Sequence, residues 1–159
     1  MLTSKDIMSK RINYLGPDML ADDAGKFLID NKIASAPVVD DTGPKLKLLG
    51  FLSEADLLSY CANQAYFDQP DVKVSSLMRL HPYCVGENVE LFELAKIFMD
   101  SKYRILPVLD ETGALVGLVR RGEVLEKFLT MIKEEDEHIK ERVMGRDIHQ
   151  IVNHRFIVG

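Results

Sequence analysis

The chain repeats itself, and that limits its fold more than any other feature. Shifted by 70, residues 4–43 align with residues 74–113 without a gap, and ten positions are identical: Met8/Met78, Gly16/Gly86, Lys26/Lys96, Asp30/Asp100, Lys32/Lys102, Pro37/Pro107, Val38/Val108, Asp40/Asp110, Thr42/Thr112 and Gly43/Gly113. The first copy then carries three extra residues in GPKLKLLG, so the offset falls to 67, and Gly50/Gly117 and Leu58/Leu125 keep that register. A doubled sequence implies two copies of one supersecondary unit, and neither alone has the mass for a robust core.

Each copy reads the same way. A short turn or helix ends at Met8 or Met78, and a short strand is expected around Asn13–Leu15 or Tyr83–Val85. A helix follows, with Leu20, Ala24, Phe27 and Leu28 on one face in the first copy and Leu91, Leu94, Ala95, Phe98 and Met99 in the second. Asp18 and Asn88 are the expected N-terminal caps. APVVD and LPVLD then run into the turns DDTG and DETG, KLLGFL and ALVGLV return, and a second helix begins at Ser53 or Arg120. The order is β-α-β-β-α, twice. This predicts an α+β fold in which two repeats pack about a pseudo-twofold axis, followed by a C-terminal helical extension. The expected boundaries are 1–62 for the first repeat, 63–73 for a connector broken at Gln69-Pro70-Asp71, 74–130 for the second repeat and 131–159 for the extension.

A chain of 159 residues, 47% hydrophobic and 28% charged, suits one domain or two closely packed halves. Net charge is −5 and no Lys/Arg run exceeds two, so the basic stripe of a nucleic-acid binder is missing. No stretch approaches the roughly 20 apolar residues needed to span a bilayer. MLTSKDIMSK has no apolar signal region, so a cytoplasmic protein without a membrane segment is expected. Cys61 and Cys84 read as thiols in a reducing compartment.

No catalytic constellation is visible, and the expectation is that the chain is not an enzyme. Neither cysteine has a motif partner, and His81, His138, His149 and His154 lack metal-ligand spacing. No glycine-rich phosphate loop is present.

The doubled unit has Met at its start, PV[VL]D[DE]TG in its middle and Gly-h-h-Ser-x-x-Asp (h, apolar) at the end of its first copy. It resembles a tandem cystathionine-β-synthase (CBS) domain pair, a Bateman module, over about residues 4–129. The resemblance implies two clefts between the repeats that bind adenine nucleotides (AMP, ADP or ATP) or S-adenosylmethionine, with no cofactor required. It also implies a homodimer and regulation of an effector protein. In the family pattern each cleft takes its hydroxyl and acid from one repeat and its early strands from the other. Carried over, the main cleft combines Gly50, Leu52, Ser53 and Asp56 with Pro82, Tyr83, Tyr103, Arg104, Ile105 and Leu106. A second, degenerate cleft combines Gly117, Val119, Arg120 and Glu123 with Ser9, Ile12, Asn13, Ile33, Ala34, Ser35 and Ala36.

The chemistry of the main cleft suits such a ligand. Asp56 has two acceptor oxygens for a ribose diol. Ser53 stands at a helix start, where N–H groups and the dipole favour phosphate. Arg104 offers a planar cation, and Tyr83, Ile105 and Leu106 offer surface to a purine. Each has a structural alternative. Ser-x-x-Asp is also the spacing of a capping box, Arg104 fits a solvated surface, and Tyr83 and Tyr103 fit half-buried packing. In the second cleft Arg120 is too large to act as a hydroxyl, and Glu123 carries an extra methylene. Arg79 stands where the first copy has Ser9, so basic groups gather in copy two, and one competent cleft is expected.

The tail EKFLTMIKEEDEHIKERVMG is expected to extend the last helix, with Leu125, Phe128, Leu129, Ile132, Ile139 and Val143 near one side and Gly145 as its stop. DIHQIVNHRFIVG is expected to pack on the module or a neighbour. The rival to the nucleotide reading is a structural or interaction module with empty clefts that dimerises or docks through this extension.

Overall fold

A computed structural model describes residues 1–67 and 71–144. The elements run α1 (Ser4–Ile7), α2 (Ala21–Asp30), β1 (Ser35–Asp40), β2 (Lys47–Ser53), α3 (Glu54–Phe67), α4 (Val74–Leu77), β3 (Val85–Gly86), α5 (Leu91–Asp100), β4 (Ile105–Leu109), β5 (Leu115–Arg120) and α6 (Arg121–Met144). Gln69, Pro70, Gly145, His149, His154 and DIHQIVNHRFIVG lie outside the described residues. Among the described residues no helix is long and apolar enough to cross a membrane. The chain divides into two compact units, Met1–Arg121 and Gly122–Gly159.

In the first unit the two repeats build matching sheets. β1 pairs antiparallel with β2, and β4 pairs antiparallel with β5. β3 lies parallel to β4, whereas its counterpart in the first repeat shrinks to a single bridge between Leu15 and Val38. Each hairpin has a register shift at the same place, between Val38 and Val39 and between Val108 and Leu109. Ala21, Ala24 and Leu28 of α2 and Leu91, Leu94 and Phe98 of α5 are buried. Leu20 and Met99 leave the faces expected for them, being 41% and 82% exposed.

The leading segment of each repeat crosses to the other repeat. Ser9 exchanges both backbone hydrogen bonds with Leu118, at 2.9 and 3.1 Å, and Arg79 does the same with Phe51, at 2.8 and 3.0 Å. The crossing also corrects the expected helix caps. Asp18 and Asn88 do not cap; the N-caps are Leu20 and Glu90, neither with a side-chain cap bond. The first amide of each helix donates instead to a carbonyl of the other repeat's leader, Ala21 to Val72 and Leu91 to Leu2, each at 2.9 Å. Asp18 pairs with Lys73 at 3.2 Å.

Glycine makes the crossing sterically possible. A Cβ on Gly50 would lie 2.7 Å from the Arg79 carbonyl oxygen and 2.9 Å from Met78 Sδ, and one on Gly117 would lie 2.7 Å from Met8 Cγ. The repeated Met–Gly pairs are therefore one contact made twice.

The turns are built alike. Thr42 donates its N–H and hydroxyl to Asp40 Oδ1 at 3.0 and 2.6 Å, and Thr112 does so to Asp110 Oδ1 at 2.8 and 2.6 Å. The extra residues of the first copy carry Lys45 to Asp110, 3.4 Å away. The Thr112 hydroxyl foremost, with the Ala114 and Thr112 amides and Lys45, lowers the Asp110 pKa to about 2.

The second unit contains α6 from Gly122 onward. Every residue from Ile132 to Val143 is exposed, including Ile139.

Two outcomes follow from this packing. Gly50→Ala should destabilise the protein by about 1–3 kcal/mol in urea unfolding, since backbone and Met78 must both yield. Asp110 is depressed in the folded state, so its stabilisation is complete above the ordinary carboxylate range and lost as pH falls from about 4 toward 2. Thr112→Ala, which removes the largest cause, should lower the melting temperature at neutral pH and flatten its fall over that interval; parallel curves for the two proteins would refute this.

Candidate functional site

A cavity of about 500 Å³ opens between the repeats of the first unit, within the range of small-molecule sites. The first repeat contributes Ala34, Ser35, Phe51, Ser53, Glu54, Ala55 and Asp56 to it. From the second repeat come Arg79, Leu80, His81, Pro82, Tyr83, Lys102, Tyr103, Arg104, Ile105 and Pro107.

Strand parity sorts the expected residues. Ser53 and Ile105 lie on the cavity side of β2 and β4, with Phe51 and Pro107 two residues along. Leu52 and Leu106 are fully buried, so they belong to the core and do not offer cleft surface as expected. Gly50 lies beneath Met78 and Arg79. Asp56, Pro82, Tyr83, Tyr103 and Arg104 all line the cavity. The Tyr83 and Tyr103 rings stack on each other, with centroids 5.6 Å apart at 23°.

Residues assigned to the second cleft disperse. Ala34 and Ser35 line the cavity with Ser53, and Ser35 stands opposite Ser53 in the β1–β2 register. Ala36 and Val119 are fully buried. Ile12 packs against Val39, Leu115 and Leu118, and Ile33 against the first repeat's core. Ser9 is held by Leu118, Asn13 is half-buried, and Gly117 faces Met8. Arg120 stands opposite Ile105 at the end of β5, and Glu123 lies in the second unit.

Asp56 is the best-connected group in the cavity. Its Oδ2 accepts the Ser53 N–H at 3.1 Å and the Ser53 hydroxyl at 2.8 Å, and the Asp56 N–H donates to Ser53 Oγ at 3.3 Å. The capping box is therefore formed. Glu54 N–H donates to the Ala34 carbonyl at 2.8 Å, so two of the helix-start amides expected to face a phosphate are already paired.

Arg79 fills the other oxygen. Its Nε donates to Asp56 Oδ1 at 3.2 Å, and Nη2 lies 3.2 Å from the same atom. The expectation that Arg79 joins the basic groups of copy two is corrected: the crossing of the leader delivers it to the cleft of the first repeat's acid. The signal was in the alignment, where Ser9 and Arg79 match, but the destination depends on the backbone bridge to Phe51.

His81 also lines the cavity, with a left-handed φ of 54° just before Pro82. Cys84 Sγ donates to the Pro82 carbonyl at 3.2 Å, and burial pushes its thiol pKa up, away from nucleophilic thiolate.

This fold and the placement of the cleft identify the class, and the comparisons agree with it. The CBS domain family model matches residues 5–63 and 74–130, and the chain belongs to that family. It is similar to two chloroplastic CBS domain-containing proteins of Arabidopsis thaliana. CBSX1 is 29% identical, covering 86% of this chain and 68% of its own, and CBSX2 is 30% identical, covering 86% and 67%. The crystal structure of CBSX2 in complex with AMP superposes with a TM-score of 0.70 at 30% identity, covering 81% of this chain and 97% of that one. The CBS pair of MJ0100, in complex with 5′-methylthioadenosine and S-adenosylmethionine, shares the fold at a TM-score of 0.67 and 22% identity.

Proposed function

We propose that the protein is a regulatory module that binds an adenine nucleotide, AMP, ADP or ATP, in the cavity between its repeats and signals its occupancy to a partner protein. S-adenosylmethionine is a further candidate of the same adenosine class. The observation that carries this is the meeting, in one cavity of about 500 Å³, of Asp56 and Ser53 from one repeat with Tyr83, Tyr103 and Arg104 from the other. A carboxylate suits a ribose diol, the cations suit phosphate, and the tyrosine faces suit a purine. CBSX2, at 30% identity, is the relative whose structure holds AMP. A ligand seated here would touch both repeats and favour whichever arrangement it binds more tightly. No cofactor and no catalytic step belong to this reading.

A homodimer belongs to the same proposal. Leu125, Leu129, Ile132, Ile139 and Val143 are each 52–60% exposed along α6. Their spacings of four, three, seven and four residues put them on one stripe. A second copy side by side in parallel would set Glu135 against Lys140, whereas antiparallel pairing would set Lys133 against Lys133.

Thermal unfolding with AMP, ADP, ATP and S-adenosylmethionine tests the ligand. Saturation at about 100 times Kd should raise the melting temperature by roughly 5–10 °C, and Asp56→Ala should abolish the rise. No rise with any of the four would favour an interaction module with empty clefts; a rise unchanged in Asp56→Ala would move the site elsewhere. Light scattering tests the dimer: the protein should run at twice its chain mass and Ile132→Asp should halve it, while a monomeric parent would refute the contact.

A further inference from the structure

The Asp56 carboxylate cannot take both hydroxyls of a ribose beside its present partners. An ionised carboxylate offers about four lone-pair sites. Ser53 donates two hydrogen bonds to Oδ2, and Arg79 Nε donates one to Oδ1, with Nη2 in ion-pair contact at 3.2 Å. A ribose diol would add two more donors to the same group. One set must leave.

Ser53 is the harder to displace. One of its donors is the backbone N–H, and its hydroxyl is also the acceptor for the Asp56 amide. Arg79 is the easier. Its side chain is 74% exposed while that of Asp56 is 17% exposed, and its backbone stays anchored to Phe51 whatever the guanidinium does.

We infer that Arg79 is an exchangeable occupant of the ribose-binding carboxylate, displaced when a nucleotide enters and taken up by that nucleotide's own phosphate. The inference rests on the nucleotide reading above and names what sets specificity in that site. A nucleoside would break the Arg79–Asp56 pair and return nothing to the guanidinium. A nucleotide breaks the same pair and supplies an anion to the same cation. The pair penalises both ligands alike, and only a phosphate on the freed guanidinium offsets that penalty, so this contact sets the discrimination between them. Lys102 and Arg104 line the cavity too, but neither has a hydrogen bond or ion pair to Asp56 among those of the described residues, so neither competes with ribose.

Calorimetric titration of adenosine and AMP against the parent, Arg79→Met and Arg104→Met tests this, with Arg79→Gln as a second variant and the unliganded melt as the check on folding. In Arg79→Met, adenosine should bind about 10-fold tighter, the scale of one charge-assisted hydrogen bond, whereas AMP loses its phosphate contact as it escapes the same competition and should change far less, so the preference for AMP over adenosine falls about 10-fold. Arg104→Met should weaken AMP and leave adenosine unchanged. The tightening of adenosine is the signature, because loss of a simple phosphate contact would not produce it. Adenosine unchanged or weaker in both Arg79 variants would overturn the inference while leaving the nucleotide reading intact. Adenosine binding to Arg79→Met but not to the parent would support it in its strongest form. Binding of neither compound to any of the proteins would sink the nucleotide reading, and the inference with it.

Discussion

Two pairs of backbone hydrogen bonds, Ser9 with Leu118 and Arg79 with Phe51, hold the two halves of the first unit in each other's grip. Each leader adds itself to the far repeat's last strand, and an earlier carbonyl of the same leader, at Leu2 or Val72, accepts the first amide of the far repeat's helix. An amide left unpaired in a buried helix start costs about 1–3 kcal/mol, so each repeat depends on the other for stability it cannot supply itself. The steric condition is absence of a side chain at Gly50 and Gly117, where Met78 and Met8 pass. Everything else about the cleft follows, because this exchange decides which residues meet.

The same exchange explains why the two repeats can differ in chemistry without differing in fold. A substitution in one leader changes the cleft of the other repeat. Serine at position 9 and arginine at position 79 make identical backbone bridges, yet only the second places a guanidinium on a carboxylate. At the strand ends the difference runs the other way, with Ser53 in the first copy and Arg120 in the second. Duplication thus supplies a frame in which single side chains diverge at little structural cost.

Much of the frame was legible in the residues. The 70-residue repeat predicts the succession of elements, and the acidic Thr-Gly turns fall where the hairpins turn. Ser53-x-x-Asp56 predicts the helix start, and the structure shows the capping reading is physically satisfied. What could not be read was whatever depends on the partner of a group rather than on its neighbours in sequence. Asp18 and Asn88 have the right chemistry for caps, but the amides of Ala21 and Leu91 bond to carbonyls 51 and 89 residues away, at Val72 and Leu2. Periodicity places Met99 at the edge of the buried face, and in the last turn of α5 it is Phe98 that is buried while Met99 is exposed. The family pattern carries Leu52 and Leu106 into the cleft, whereas strand alternation sends them into the core.

A closed carboxylate changes how such a module would respond to its ligand. An open, undersatisfied Asp56 would bind any diol of suitable shape, and the free energy of binding would go into filling a vacancy. Here Asp56 is already tied across the repeats to Arg79 by a charge-assisted contact. A nucleotide would replace that tie with a longer one running through ribose and phosphate. The response then depends on the difference between two bridges of different length rather than on the presence or absence of one, and only that difference can shift the arrangement of the repeats. Because both bridges begin at Asp56, whose position is fixed by its bonds to Ser53 at the end of β2, the change would be expressed at the far end, in the leader that carries Arg79 and in the strand it augments.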